Sequence, residues 1–434
     1  MNICILGLWH LGAVTAACLT ALGHRVVGLD FDARRIADLR RGTPPVSEPG
    51  LEELLRQGLA SGKLRFSSAA SDAAAGADVL WVAYDTPIGE EEDAQPEWVL
   101  TQVEQVLSCL GEDTVVLVSS QLPVGSVRRL QQRAALNCGG RERTFAYFAE
   151  NLRLGSALRD FLHPDRIVVG IAPDADRKLL DELLSSIGAP IEWMSVESAE
   201  MTKHAINAFL AVSVTFANEL ATICESVGAD AKQVERGLKT DRRIGPGAYL
   251  SPGAAFAGGT LARDVAFLNR AAREHRIVTP LLSAILPSND VHKLWAQNTL
   301  RTLFAHLSQT TVAVWGLTYK PGTDTLRRSL AVELCDWMLG EGVTIRVHDP
   351  VVHSLPEHWR GTVERSDNPI AAVHGANALV IATEWPMYRA IAAEQLLPAA
   401  DRLAVLDANR FLPNLAAAGA ALMYLAVGMP RKLP

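Results

Sequence analysis

The chain has 434 residues, enough for several domains of roughly 100–200 residues each around a large buried core, which excludes a small disulfide module. Its formal net charge of −7, from 41 Lys and Arg against 48 Asp and Glu, leaves no basic footprint for nucleic acid or an anionic membrane surface, so neither is expected as a partner. Hydrophobic residues make 49% of the chain and charged ones 21%, the balance of a globular protein and not of a disordered or fibrous one.

Residues 3–22 form a nearly unbroken apolar run that a hydropathy scan would read as a signal peptide or anchor. No Lys or Arg precedes it, His10 interrupts it, and Gly7 and Gly12 divide it as a strand, a turn and a helix would be divided. The six cysteines, Cys4, Cys18, Cys109, Cys138, Cys224 and Cys335, are far apart and form no C-x-x-C pair. That spacing suits a reducing compartment, and a cytoplasmic protein is expected.

Short β-branched runs at 3–7, 25–30, 78–84, 114–120, 144–150 and 165–170 alternate with helical patterns, which predicts β-α units in a parallel sheet. The acidic run at 90–93 follows a strand and Thr86-Pro87, and reads as an exposed loop. From 196 to 228 the pattern is one long helix, followed by further helix and a loop rich in Gly and Ala. Strand-like runs return at 311–316, 343–348, 378–383 and 403–407. The expected fold class is α/β, with two Rossmann-like doubly wound domains, 1–195 and 306–434, joined by a helical section at 196–305.

The first β-α turn reads Gly7-Leu8-Trp9-His10-Leu11-Gly12, close to the G-x-G-x-x-G dinucleotide fingerprint but with Trp at the second glycine. Eighteen residues after Gly12, Asp30 ends the next strand, where a carboxylate binds an adenosine ribose and repels a 2′-phosphate. NAD is therefore expected over NADP. The same glycines also serve simply to pack the first helix on the sheet, with Asp30 a solvated strand end.

Glu200, Lys203 and Asn207 are spaced to share one helical face. A lysine there stabilises a developing alkoxide, whereas the bland alternative is a surface stripe. Farther on, the loop Pro252-Gly253-Ala254-Ala255-Phe256-Ala257-Gly258-Gly259 leads into Thr260 and Arg263-Asp264. Small residues let N–H groups approach phosphate at a helix start, and also let chains cross. Glu150, at a predicted strand end, and Asp264 are candidate carboxylates. No cluster has metal-ligand spacing, no metal is expected, and His204 and His348 read as structural residues.

In order along the chain stand Ser47-Glu48-Pro49-Gly50-Leu51, Thr86-Pro87, Pro123-Val124-Gly125, Phe161-Leu162-His163-Pro164-Asp165-Arg166, Asn218-Glu219, Arg243-Ile244-Gly245, Lys320-Pro321-Gly322-Thr323-Asp324, Arg327 and Thr383-Glu384-Trp385. With these segments the chain resembles the UDP-glucose/GDP-mannose dehydrogenase family from residue 2 to about 410. The resemblance implies an N-terminal NAD domain, a helical dimerisation centre, a C-terminal nucleotide-sugar domain and an active site between the domains. It implies a homodimer or higher oligomer that oxidises a primary alcohol to a carboxylate in two hydride transfers, through a thioester on a cysteine.

Carried over by motif, Glu150 is the acid/base carboxylate, Lys203 and Asn207 stabilise the substrate oxyanion, and Asp264 positions a water or the lysine. The first turn, from Gly7 through Leu8, Trp9, His10 and Leu11 to Gly12, holds NAD together with Asp30, Arg35, Thr86, Gln121 and Arg327. Arg243, Tyr249, Leu250, Phe256, Gly258 and Lys320 hold the nucleotide sugar, and Arg327 stands near both ligands.

The departures bear on chemistry. In the family the glycine loop ends Phe-Gly-Gly-Ser-Cys, with Lys-Asp closing the motif, and here Thr260 stands at the position of the cysteine. Gln121 replaces a family threonine, and Phe148-Ala149-Glu150-Asn151 replaces Asn-Pro-Glu-Phe. A neutral Thr hydroxyl is a far weaker nucleophile than a thiol. The expected reaction is therefore one two-electron oxidation of a UDP- or GDP-sugar hydroxyl. A family-derived dehydrogenase with a non-nucleotide substrate, and a ligand-binding pseudoenzyme, are the alternatives.

Overall fold

The computed structural model describes residues 1–86, 95–137, 143–257, 259–396, 403–418 and 422–430. The acidic run at 90–93, Pro87, Cys138 and Gly258 lie outside the described residues. The chain divides into two compact units, Met1–Ala205 and Ile206–Pro434.

The first unit is built on strands β1 (Asn2–Leu6), β2 (Arg25–Leu29), β3 (Leu64–Ser67), β4 (Val79–Val82), β5 (Val115–Val118), β6 (Phe145–Phe148), β7 (Ile167–Ile171) and β8 (Ile191–Met194), in the order β3-β2-β1-β4-β5-β6-β7-β8. The middle strands β4 and β5 are apolar and buried throughout, as strands covered on both faces must be. The apolar run at 3–22 is core material: β1, the turn at Gly7, and the helix His10–Ala21, buried from Leu11 to Thr20. The order reverses between β2-β1 and β4-β5, and ligands of such sheets bind at the carboxyl ends of the strands beside that reversal.

One feature departs from the parallel sheet expected from the pattern: β7 runs antiparallel to β6. Alternation and burial carry no information about strand direction. The connection between the two strands holds only the six-residue helix Ala157–Leu162, which sets Ala157 and Phe161 into the core in place of a long crossover helix.

In the second unit, the end of the long helix Val196–Val227 is followed by the helices Ala231–Thr240, Thr260–Glu274, Pro280–Lys293 and Trp295–Leu303. A parallel sheet then forms from β9 (Thr311–Trp315), β10 (Thr344–His348), β11 (Val363–Arg365), β12 (Ala378–Ile381), β13 (Ala404–Leu406) and β14 (Met423–Leu425), in the order β11-β10-β9-β12-β13-β14. The helix Val196–Val227 is long and apolar enough to cross a membrane by length and composition. It buries Glu200, Lys203, His204, Asn207 and Asn218 against protein, as a core helix does.

Candidate active site

Two glycines shape the first turn. Gly7 has φ +90°, and a Cβ on it would meet the Tyr84 ring at 2.5 Å; a Cβ on Gly12 would stand 1.7 Å from the Gly7 carbonyl oxygen. Trp9, between them, has φ −73°, a backbone that any residue adopts, so the missing second glycine leaves the turn undistorted. Its side chain is 43% exposed, with the Arg35 guanidinium 5.2 Å from the ring centroid. No side chain caps the helix His10–Ala21 at Trp9, so its N-terminus stands ready for an anion.

Asp30 is not a solvated strand end. Its buried carboxylate accepts the N–H of Leu8 at 2.8 Å and of Asp32 at 2.9 Å, and Arg35 Nη1 lies 2.7 Å from Oδ2. Arg35 also lies 3.6 Å from Asp32, which caps its helix. Arg35 is thereby matched by two carboxylates, which fits NAD and disfavours a 2′-phosphate. Thr86 Oγ1 donates to the Gln121 carbonyl at 2.5 Å, joining the ends of β4 and β5.

His10 bonds Glu48 at 2.8 Å, a pair that sequence reasoning did not single out. Glu48 is buried and also accepts the N–H groups of Gly155 at 2.8 Å and Ala157 at 2.9 Å, so one carboxylate ties the first turn to the segment just past Glu150. Glu48 was visible only inside a family motif, because an isolated Glu has no spacing that marks a partner about a hundred residues away.

Glu150 and Lys203 come together. Lys203, 6% exposed, donates to the Glu150 carbonyl and lies 3.4 Å from Asn151 Oδ1. Burial pushes the Glu150 carboxyl above its usual range, against the opposing pull of Lys203 and of the Leu152 N–H that it accepts. Glu200 has a different job: fully buried, it accepts the N–H groups of Gly125 and Val127, the latter at 3.0 Å, at the start of the helix Ser126–Asn137. The surface-stripe alternative is thereby overturned. His204 bonds the Leu122 carbonyl at 2.8 Å and His348 bonds Tyr388 at 2.9 Å, both within the fold.

In the second unit, Asn207 donates to the fully buried carboxylate of Asp264. Thr260 is exposed at the first position of its helix, after Gly259. The loop before it is clamped by side chains of which the sequence marked only Asn218, and that only inside a family segment. Asn218 accepts Gly253 N–H at 3.0 Å, Asn409 accepts Ala254 N–H at 2.7 Å, Asn289 accepts Phe256 N–H at 3.0 Å, and His292 bonds the Gly253 carbonyl at 2.8 Å. Those three N–H groups already have acceptors within the protein, and no side chain caps the helix that starts after Gly259.

Lys320 is half-buried, Arg327 exposed, and Tyr249 exposed, while Leu250 lines a small apolar hollow with Phe216 and Leu238. Arg243 is fully exposed and pairs with Asp241 of its own loop at 2.7 Å. Among the described cysteines, Cys4, Cys18, Cys224 and Cys335 are buried, and burial pushes the Cys4 and Cys18 thiols up to about 12.

A glycine-turned strand-helix junction with a strand-end carboxylate, a buried Lys and Glu beside it, and a second doubly wound sheet define an NAD-dependent dehydrogenase acting on CH–OH donors. Family models match the chain over residues 1–187 (UDP-glucose/GDP-mannose dehydrogenase family, NAD binding domain), 197–291 (central domain) and 313–414 (UDP binding domain), and the chain belongs to this family. It is 34% identical to a UDP-glucose 6-dehydrogenase of Pseudomonas aeruginosa, over 99% of this chain and 98% of the relative. With a Bacillus subtilis UDP-glucose 6-dehydrogenase the identity is 32%, over 89% and 88%. The fold is similar to that of a UDP-glucose dehydrogenase from Pyrobaculum islandicum, with a TM-score of 0.88, 30% identity, and coverage of 99% and 98%.

Proposed function

We propose that the chain oxidises one hydroxyl of a UDP- or GDP-linked sugar in a single two-electron step. NAD supplies the hydride acceptor, held by the turn from Gly7 to Gly12 with Asp30, Arg35, Thr86, Gln121 and Arg327. Residues 1–195 carry this part, 196–305 the helical centre and 306–434 the nucleotide-sugar domain. Lys203 stabilises negative charge developing on the substrate oxygen, and Glu150, held toward its neutral form by burial, exchanges the hydroxyl proton. Asn207 and Asp264 fix one another beside Thr260, and Arg243, Tyr249, Leu250, Phe256, Gly258 and Lys320 serve the nucleotide sugar.

The observation that carries the single step is Thr260: the exposed residue that starts the helix after the glycine loop bears a hydroxyl where the family motif has its thiol. Without a thiolate, no thioester forms to carry an aldehyde through a second oxidation. The test is the amount of NADH formed per sugar consumed, across a panel of UDP- and GDP-sugars, with the product identified by mass. A ratio near one is expected; a ratio near two with a uronate product refutes the reading.

We also propose that the protein works as a homodimer through the long helix. Phe209, Phe216, Ile223 and Val227 are exposed along one side of Val196–Val227 at near-heptad spacing, an apolar seam of the kind that pairs helices.

A further inference from the structure

Arg328 is one of three non-glycine residues among those described with a left-handed backbone, at φ +58°. Such a residue persists only where its surroundings hold it, and it commonly marks a ligand site. Its backbone turns the side chain onto Gly259: Arg328 Nη1 lies 2.1 Å and Arg263 Nη2 3.2 Å from the point that a Cβ on Gly259 would occupy. A Cβ on Gly259 would therefore push the guanidinium groups aside, while its own φ of −100° is open to any residue. Tyr319 donates to the Ala257 carbonyl at 3.4 Å and seats the 319–328 segment on the glycine loop. Two guanidinium groups thus meet beside the open N-terminus of the helix Thr260–Glu274, and among the described residues no carboxylate pairs with Arg328. Like charges brought to one point, with helix N–H groups beside them, form a receptor for an anion.

We infer that Arg328 and Arg263 bind a carboxylate carried by the sugar itself, so that the substrate is a nucleotide uronate oxidised at a ring hydroxyl. The inference rests on the proposed reading of the site as that of a two-electron nucleotide-sugar dehydrogenase. Thr260, next to Gly259, stands where the family's nucleophile meets the sugar's primary carbon, so an anion held there is the oxidised form of that carbon. The step balances as a secondary alcohol and NAD⁺ giving a ketone, NADH and a proton, with the carboxylate unchanged. The reaction that supplies this substrate is a four-electron oxidation of the same sugar's primary alcohol.

The test uses the full-length protein and two probes, UDP-glucuronate and UDP-glucose. Binding of each, and of UDP alone, is measured by calorimetry, and NADH formation is followed, for wild type, Arg328→Gln, Arg328→Lys and Gly259→Ala. In Gly259→Ala the new Cβ displaces only the far end of a flexible side chain, so that variant folds even where Arg328→Gln does not. The uronate is expected to bind at least tenfold tighter than UDP-glucose and to yield one NADH with a keto-uronate product. Arg328→Gln and Gly259→Ala are expected to lose roughly 10- to 100-fold in uronate affinity, with Arg328→Lys retaining part of it and UDP affinity unchanged in all. If UDP alone weakens as much as the uronate, the arginines hold the diphosphate and the inference falls. Preferential oxidation of UDP-glucose also overturns it while leaving the two-electron reading standing. An Arg328-dependent preference for the uronate without NAD reduction supports the carboxylate site and refutes that reading.

Discussion

Burial raises the Glu150 carboxyl above the ordinary carboxylate range, and this fixes two opposite pH dependences. As a proton acceptor Glu150 works only when ionised, so kcat/KM should rise with pH along a limb that lies above that range. Folding stability should move the other way. The folded protein holds this proton more tightly than the unfolded chain, so stability is lost as pH climbs from the ordinary value through the raised one. Glu150→Gln should remove both dependences and lower kcat by about 10²–10⁴, as read from a pH–rate profile and from urea unfolding at two pH values. At the first turn, Gly12→Ala sets a Cβ 1.7 Å from a backbone oxygen that cannot move aside without unwinding the Gly7 turn. A loss of about 2–3 kcal/mol is expected in urea unfolding, together with weakened NAD binding. Gly12 and Asp30 were legible in the sequence because their spacing repeats a known geometry. The clamps Asn289 and Asn409, and Arg328 with its left-handed backbone, were not, and Asn218 stood out only inside a family segment, because each acts through a partner distant in sequence or through a φ angle that composition does not encode.

Among the elements, the strands with apolar, mostly buried runs and the helix Val196–Val227 were legible, since buried apolar runs and an unbroken helical period are strong signals. The strands β3, β8, β11 and β14 were not. They are short and broken by exposed positions, and β8 holds only half-buried and exposed residues, so tertiary pairing and not local pattern defines them. The long helix carries a prediction of its own. Its inner side is occupied by Lys203, Asn207 and their neighbours, whereas Phe209, Phe216 and Ile223 are 70%, 49% and 57% exposed. Such a row of large apolar residues in water favours association, at about 25 cal/mol for each Å² buried. Phe209→Glu with Ile223→Glu should give a monomer by light scattering, while retained helical circular dichroism shows that the fold survives. An unchanged dimer would place the interface elsewhere.

For the whole molecule, the two sheets repeat one device. Gly7 after β1 and Gly316 after β9 have φ near +90°, at +90° and +87°, and each is followed by a backbone N–H donated to a carboxylate at the end of the next strand: Leu8 to Asp30 at 2.8 Å and Leu317 to Asp349 at 2.7 Å. The two turns belong to separate units, one in the NAD binding domain and one in the UDP binding domain of the family. Each ligand should therefore stabilise the protein through its own turn, by about 2.7 kcal/mol at a concentration of 100 Kd. Asp349 accepts five N–H groups, those of Leu317 and Thr318 in the turn, those of Val351 and Val352, and the Trp385 indole, so Asp349→Asn sets an amide donor among donors. In thermal unfolding, Asp349→Asn should shrink the rise in Tm with UDP and keep the rise with NAD, and Asp30→Asn should do the reverse. If either variant lost both rises together, the two turns would not be independent ligand sites, and the shared device would serve folding alone.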